Sequence, residues 1–117
     1  MNIAIVCYST FGGSGVVATE LGVALAQKGY QIHFITYGHP VRLSTFHKNI
    51  HLHQVYVEEY PLFRYQPYEL ALSSKMVEVV REYNIDIIHA HYAIPHAYTA
   101  YMAKQILEKG YYYLTGK

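Results

Sequence analysis

Tryptophan is absent from these 117 residues, and cysteine occurs once, at Cys7. A single thiol excludes an intrachain disulfide and fits a reducing cytoplasm. Charge is also scarce. Asp, Glu, Lys and Arg make up 15% of the chain, against a usual ~25%, which excludes a disordered tail or a solvated linker. The net charge is +1 with histidine neutral, and Lys and Arg form no run. A non-specific polyanion binder needs a basic stripe, so nucleic acid is not an expected partner. No apolar stretch approaches the ~20 residues of a membrane span. Met1-Asn2-Ile3-Ala4 lacks a positive n-region, and Ser9 to Gly15 cut the apolar run short, which argues against a signal peptide. The cytoplasm is therefore the expected location. What the chain has in quantity is apolar surface, 52% hydrophobic residues with 14 tyrosines. That suffices for the core of one domain without a disulfide or metal staple.

The hydrophobic pattern alternates between two periods. Ile3 to Cys7 is a near-continuous, β-branched run that suits a strand buried on both faces of a parallel sheet. A glycine-rich segment from Tyr8 to Gly15 follows, and from Val16 the pattern turns helical, with Val17, Leu21, Ala24 and Leu25 on one face. Ala18 and Gly22 offer a small-residue surface for close packing, and Gly29 reads as the helix C-cap. Gln31 to Thr36 is a second strand, completing a right-handed βαβ unit. Ile50 to Val57 alternates in a way that places a third strand near the sheet edge.

Pro67 opens a helix striped by Leu72, Met76, Val79, Val80 and Tyr83 and ended by Asn84. Ile85 to Ala90 is a fourth strand. Pro95 opens a third helix, with Tyr98, Met102 and Ile106 along one face and Gly110 as its cap, and Tyr111 to Leu114 reads as the start of a fifth strand. The fold class expected is α/β, a Rossmann-like parallel sheet with helices on both faces.

Gly13-Ser14-Gly15-Val16-Val17-Ala18 matches G-x-G-x-x-A between a strand and a helix. Glycines let the backbone approach a ligand, and the free amides of a helix N-terminus favour an anion. A dinucleotide site needs an acidic residue at the end of the second strand, but Ile35-Thr36-Tyr37-Gly38 supplies none, which counts against NAD. No Lys-Ser or Lys-Thr follows the glycines, so this is not a P-loop. A tight turn without a ligand is the plain alternative.

His89-Ala90-His91 ends the fourth strand, and His96 begins the next helix. Closely spaced histidines suit zinc, yet no dense carboxylate or cysteine cluster adds ligands, and no metal is assigned. Histidines that bond buried backbone or line a polar cleft are the competing reading, since the carboxyl ends of parallel strands are where open sheets bind ligands. His51 and His53 read as edge-surface residues and Cys7 as core. Tyr92, between His91 and Pro95, places a hydroxyl where it can reach a ligand.

These residues carry a resemblance. Cys7-Tyr8, Gly12 to Gly22, His33-Phe34-Ile35-Thr36, Tyr68 to Met76 and, most tellingly, His89-Ala90-His91-Tyr92-Ala93-Ile94-Pro95-His96-Ala97 are similar to one group of bacterial enzymes. These are the malate-accepting N-acetylglucosaminyltransferases of bacillithiol biosynthesis, retaining glycosyltransferases of two-domain GT-B architecture. The similarity runs from Met1 to about Gly110. It implies transfer of N-acetylglucosamine from UDP-N-acetylglucosamine, the co-substrate, to L-malate, with retention and with no metal or other cofactor. It implies an N-terminal domain holding the acceptor and a C-terminal domain holding most of the nucleotide. Carried over to this chain, Gly12, Gly13, Ser14 and Gly15 meet malate or the donor phosphates, and Tyr92 hydrogen-bonds malate, with His91 beside it. No catalytic acid or base is assigned.

Such enzymes continue into a strand ending in Leu-His-Gly-Thr-Asp, whereas this chain reads Tyr111-Tyr112-Tyr113-Leu114-Thr115-Gly116-Lys117. The expectation is a partial acceptor-binding domain over residues 1–117, without the nucleotide-sugar domain, not competent alone, and with an unfinished sheet edge near Leu114 that favours association into homo-oligomers. A GT-B enzyme with another acceptor and a non-enzymatic α/β anion-binding module remain open beside it.

Overall fold

The apolar N-terminal run becomes a central strand, because both of its faces find helices to cover them. The computed structural model describes residues 1–8, 14–37, 47–55, 68–91 and 96–115, with backbone alone at residues 8, 14–15, 37, 68–69 and 109–115. Along the chain the elements are β1 (Asn2–Tyr8), α1 (Ser14–Gln27), β2 (Gln31–Tyr37), β3 (Ile50–Gln54), α2 (Tyr68–Tyr83), β4 (Ile87–Ala90) and α3 (Tyr98–Thr115). The sheet order is β3-β2-β1-β4, and every pairing is parallel, with Ile5 of β1 opposite Phe34 of β2 and His89 of β4. The Rossmann-like reading holds. Among the described residues no helix is long and apolar enough to cross a membrane.

Alternation along the strands sorts the core into two layers. Ile3, Ile5, Cys7, Ile32 and Phe34 pack with Ala18 and Ala26 of α1 on one face. Ala4, Val6 and Ile35 pack with Leu72, Met76 and Val79 of α2 and Ala103 of α3 on the other. The small-residue surface expected of Ala18 and Gly22 does go inward on α1, whereas Val17, at the head of the larger stripe, turns out to solvent. Val17 is 60% exposed, while Ala18, Thr19 and Ala26 are buried. Small residues at i, i+4 and i+8 (Ala18, Gly22, Ala26) let the helix axis approach the sheet, and the fully buried Phe34 ring fills the space above Gly22. A stripe of larger residues holds a helix farther away.

Both helix ends at the amino side of the sheet close in the same way. Gly29 N–H reaches the Ala26 carbonyl at 3.0 Å and Tyr30 N–H the Leu25 carbonyl at 3.3 Å, with Gly29 at φ +99°. This is a Schellman closure with glycine at the left-handed position. Asn84 takes that position after α2, at φ 53°, and Ile85 N–H reaches the Val80 carbonyl. Asn2 then ties β1 to this corner. Its side-chain amide donates to the carbonyls of Tyr83 (2.9 Å) and Asn84 (3.3 Å). Its N–H meets Asp86 Oδ2 at 2.8 Å. Gly29→Ala is expected to cost about 1–2 kcal/mol through its backbone conformation alone, since a Cβ there meets nothing. Urea midpoints at unchanged slope check this.

Two expectations for the C-terminal part are corrected. Gly110 does not cap the third helix, and Tyr111 to Leu114 form no strand, because α3 continues through them to Thr115. Glycine in a helix interior costs only about 1 kcal/mol. A strand there would have only the four residues of β4 to pair with, whereas a helix satisfies its backbone bonds internally. Among the described residues the edge strands are therefore β3 and β4, with none near Leu114. The inward face of α3 is Thr99 and Ala103, while Tyr98, Met102 and Ile106 are exposed. The small side chains let α3 close onto α2, as in α1.

Candidate functional site

The carboxyl ends of β1 and β4 lie side by side, with Val6 opposite Ala90. At this end β1 gives way to the glycine segment and α1 begins at Ser14. β4 closes with His91, whose N–H donates to the Val6 carbonyl at 2.9 Å. His91 and the start of α1 therefore stand at one end of adjacent strands, a neighbourhood that the β1–β4 pairing supplies. Gly12, Gly13 and Tyr92 lie outside the described residues, and Ser14 and Gly15 are described as backbone in the first turn of α1.

His96 is fully buried, and its Nδ1–H donates to the His91 carbonyl at 2.6 Å. It thus bonds buried backbone, one of the two readings its sequence left open. Its carbonyl in turn accepts from Thr99 Oγ1 at 2.9 Å. Burial holds His96 below the usual imidazole range, opposed by that backbone bond. Burial also lowers His91, and His89 and His96 add to the effect. His89 and His91 stand with ring centroids 4.7 Å apart. Among the described residues, no group of three or more His, Cys, Asp or Glu is arranged to hold a metal. Cys7 is core, and burial pushes its thiol up to about 12, so it carries no thiolate at neutral pH. Asp86 sits before β4, at the opposite end of the sheet, where its amide donates to the Asn2 carbonyl at 2.8 Å. A groove of about 430 Å³ between α2, β4 and α3 includes Asp86 in its lining and so lies away from the carboxyl ends of the strands.

A second histidine group was not foreseen as a unit. His51 and His53 are half-buried rather than surface residues, because Tyr83 from the last turn of α2 lies over this face of β3. His33 of β2 is opposite His51 in register. Its ring stacks on His51 at 4.5 Å and His53 at 5.2 Å, with Tyr83 at 4.6 Å. His33 Nδ1 and His53 Nε2 are 3.0 Å apart and share one proton. His51 continues a polar chain through the Gln31 side chain (3.1 Å) and Asn49 (3.2 Å) to the Ala26 carbonyl (3.1 Å). The available signal was histidine at every second position of β3, beside a histidine on the neighbouring strand. Near-parallel stacked rings do not converge on a point, so this is packing rather than a ligand set.

Comparison with known proteins supplies the remaining findings. Residues 11–111 match the profile of Glycosyltransferase Family 4. Over 107 residues the chain is 56% identical to the N-acetyl-alpha-D-glucosaminyl L-malate synthase of Bacillus anthracis, a stretch that is 92% of this chain and 28% of that protein. A glycosyltransferase from Rickettsia africae superimposes with a TM-score of 0.63 at 22% identity, covering 89% of this chain and 26% of the other. Sucrose-phosphate synthase from Thermosynechococcus elongatus follows at 0.59 and 19%, covering 89% and 30%. These two structures share the fold.

Proposed function

Because this chain belongs to Glycosyltransferase Family 4, we propose that it forms the acceptor-binding part of an enzyme that moves N-acetylglucosamine from UDP-N-acetylglucosamine to L-malate with retention, the first step of bacillithiol biosynthesis. The kinship that supports this acceptor is the 56% identity to a synthase named for malate. The observation that carries the reading is the arrangement of helix N-termini. α1 starts directly after the glycine segment, at the carboxyl end of β1, and α3 starts after the carboxyl end of β4. Neither has an acidic residue in its first turn to offset its positive end. A dianionic hydroxy acid is thus met by backbone N–H groups and helix dipoles, without a basic surface.

In this reading the glycine segment, Ser14 and Gly15 hold the acid, and Tyr92 and His91 turn its hydroxyl toward the anomeric carbon. The gain is positional, and the leaving phosphate is stabilised by electrostatics largely supplied from the nucleotide side. Calorimetric titration of the 117-residue chain is expected to show saturable L-malate binding and no binding of UDP-N-acetylglucosamine. Nucleotide-sugar binding without malate binding would overturn the acceptor assignment. A different hydroxy acid bound more tightly than malate would point to another acceptor.

A further inference from the structure

Both backbone groups of His91 are pinned. Its N–H is held by Val6 on the neighbouring strand and its carbonyl by the His96 ring. A residue fixed at both groups has little freedom in its Cα–Cβ direction, which leaves two side-chain torsions to place its imidazole, and the His89 ring stands 4.7 Å from it. His96 belongs to the segment entering α3, and its own carbonyl is held by Thr99, so the β4 tip is tied to that helix by two successive bonds. Since a carbonyl only accepts, His96 carries its proton on Nδ1, which fixes its tautomer. At the far side of His91, Nε2 is buried and has no partner among the described residues. A buried orphan nitrogen costs about 1–3 kcal/mol. Such an atom is tolerated where a ligand completes it.

We propose that His96 is a positioning residue, which aims His91 Nε2–H at an oxyanion of a carboxylate or phosphate ligand bound beyond the tip of β4. The inference deepens the acceptor-site reading and rests on it for the identity of the anion alone. A neutral imidazole offers one N–H to such an oxygen, and its aim depends on a backbone that His96 holds.

The test is imidazole-nitrogen NMR on the 117-residue chain, wild type and with His96→Asn or His96→Leu, titrated with inorganic phosphate and with L-malate. Asparagine returns an amide N–H toward the His91 carbonyl; leucine returns none. In the wild type, His96 is expected to remain an Nδ1–H tautomer between about pH 6 and 8, and His91 Nε2 to shift saturably with phosphate, malate or both. His96→Leu should weaken that binding about tenfold or more, with His96→Asn recovering most of it. Equal weakening by both variants, an unshifted His91 with both probes, or an Nε2–H tautomer at His96 would each overturn the proposal. If His96→Leu does not fold, the wild-type tautomer and the asparagine variant decide. A shift with phosphate but not malate supports the positioning role and counts against malate as the acceptor.

Discussion

Phe34→Ala is expected to lower the unfolding free energy by about 3–5 kcal/mol. Phe34 heads the fully buried side chains by volume among the described residues. It lies between Ile5 of β1 and Leu52 of β3 in the sheet register, with its ring against the backbone of Gly22. Neither a strand nor α1 can close onto the resulting space without leaving its ladder. Domains of this size hold about 5–15 kcal/mol in total, so the loss is a large share. The same contact can be overfilled from the helix side. A Cβ on residue 22 would overlap Phe34 Cζ and stand 3.0 and 3.1 Å from Cε2 and Cε1. Overpacking of this kind costs about 1–3 kcal/mol, against which alanine returns up to about 1 kcal/mol of helix propensity. Gly22→Ala combined with Phe34→Leu should therefore cost less than the sum of the two single changes. Strict additivity in urea unfolding would show that helix and ring are not in contact.

Acid should unfold the protein early. Burial holds His33 down to about 4, with His51 and His53 adding to the effect. Burial and Lys75 lower His53; His91 and His96 are lowered too. Each folded value lies below the unfolded one near ~6.5, so the unfolded chain takes up protons first. Stability from these groups is complete above about pH 6.5 and falls as the pH drops toward 4. For His33 alone the loss is on the order of 3 kcal/mol by pH 4. Glu78 and Glu82 of α2 pull the other way at His53 without reversing it. Two imidazole nitrogens 3.0 Å apart accommodate one proton, and a second sets N–H against N–H. Urea midpoints from about pH 7.5 to 4.5 should fall steadily, and His33→Gln should flatten the slope. An unchanged slope in that variant would remove His33 as the cause.

Much of this architecture could be read from the residues because strands and caps announce themselves locally. A β-branched run such as Ile3 to Cys7, a glycine after Lys28 and an asparagine after Tyr83 each have one economical conformation. Side-chain faces were harder. α1 and α3 carry large apolar residues beside small ones, and periodicity alone points to the large stripe. In α1 the spacing of Ala18 and Gly22 did announce the close face, though not that Val17 would turn outward; in α3 the approach of Ala103 to α2 decides against the large stripe, and such approach depends on the partner. The Tyr111 segment has strong strand propensity, but strand formation needs an adjacent edge, which propensity does not record. The histidine stack required the β2–β3 register, since His33 and His51 are brought together by pairing across an intervening connection. At the candidate site the position of His91 was legible. The role of His96 became visible only when its nitrogen and the His91 carbonyl were placed 2.6 Å apart.

The central strand also carries a kinetic consequence. Ile3 pairs with Ile32 on one side and with Ile87 on the other. During synthesis β1 leaves the ribosome ahead of β2, β3 and β4, yet its second ladder waits for a partner more than two-thirds of the chain away. Closing so long a loop precedes any reward from the contacts it makes, and parallel pairings of this sort set a slow folding rate. Until β4 arrives, one edge of the most apolar strand stands open. The interval in which this chain is vulnerable to mispairing is therefore set by how soon residue 87 becomes available to residue 3.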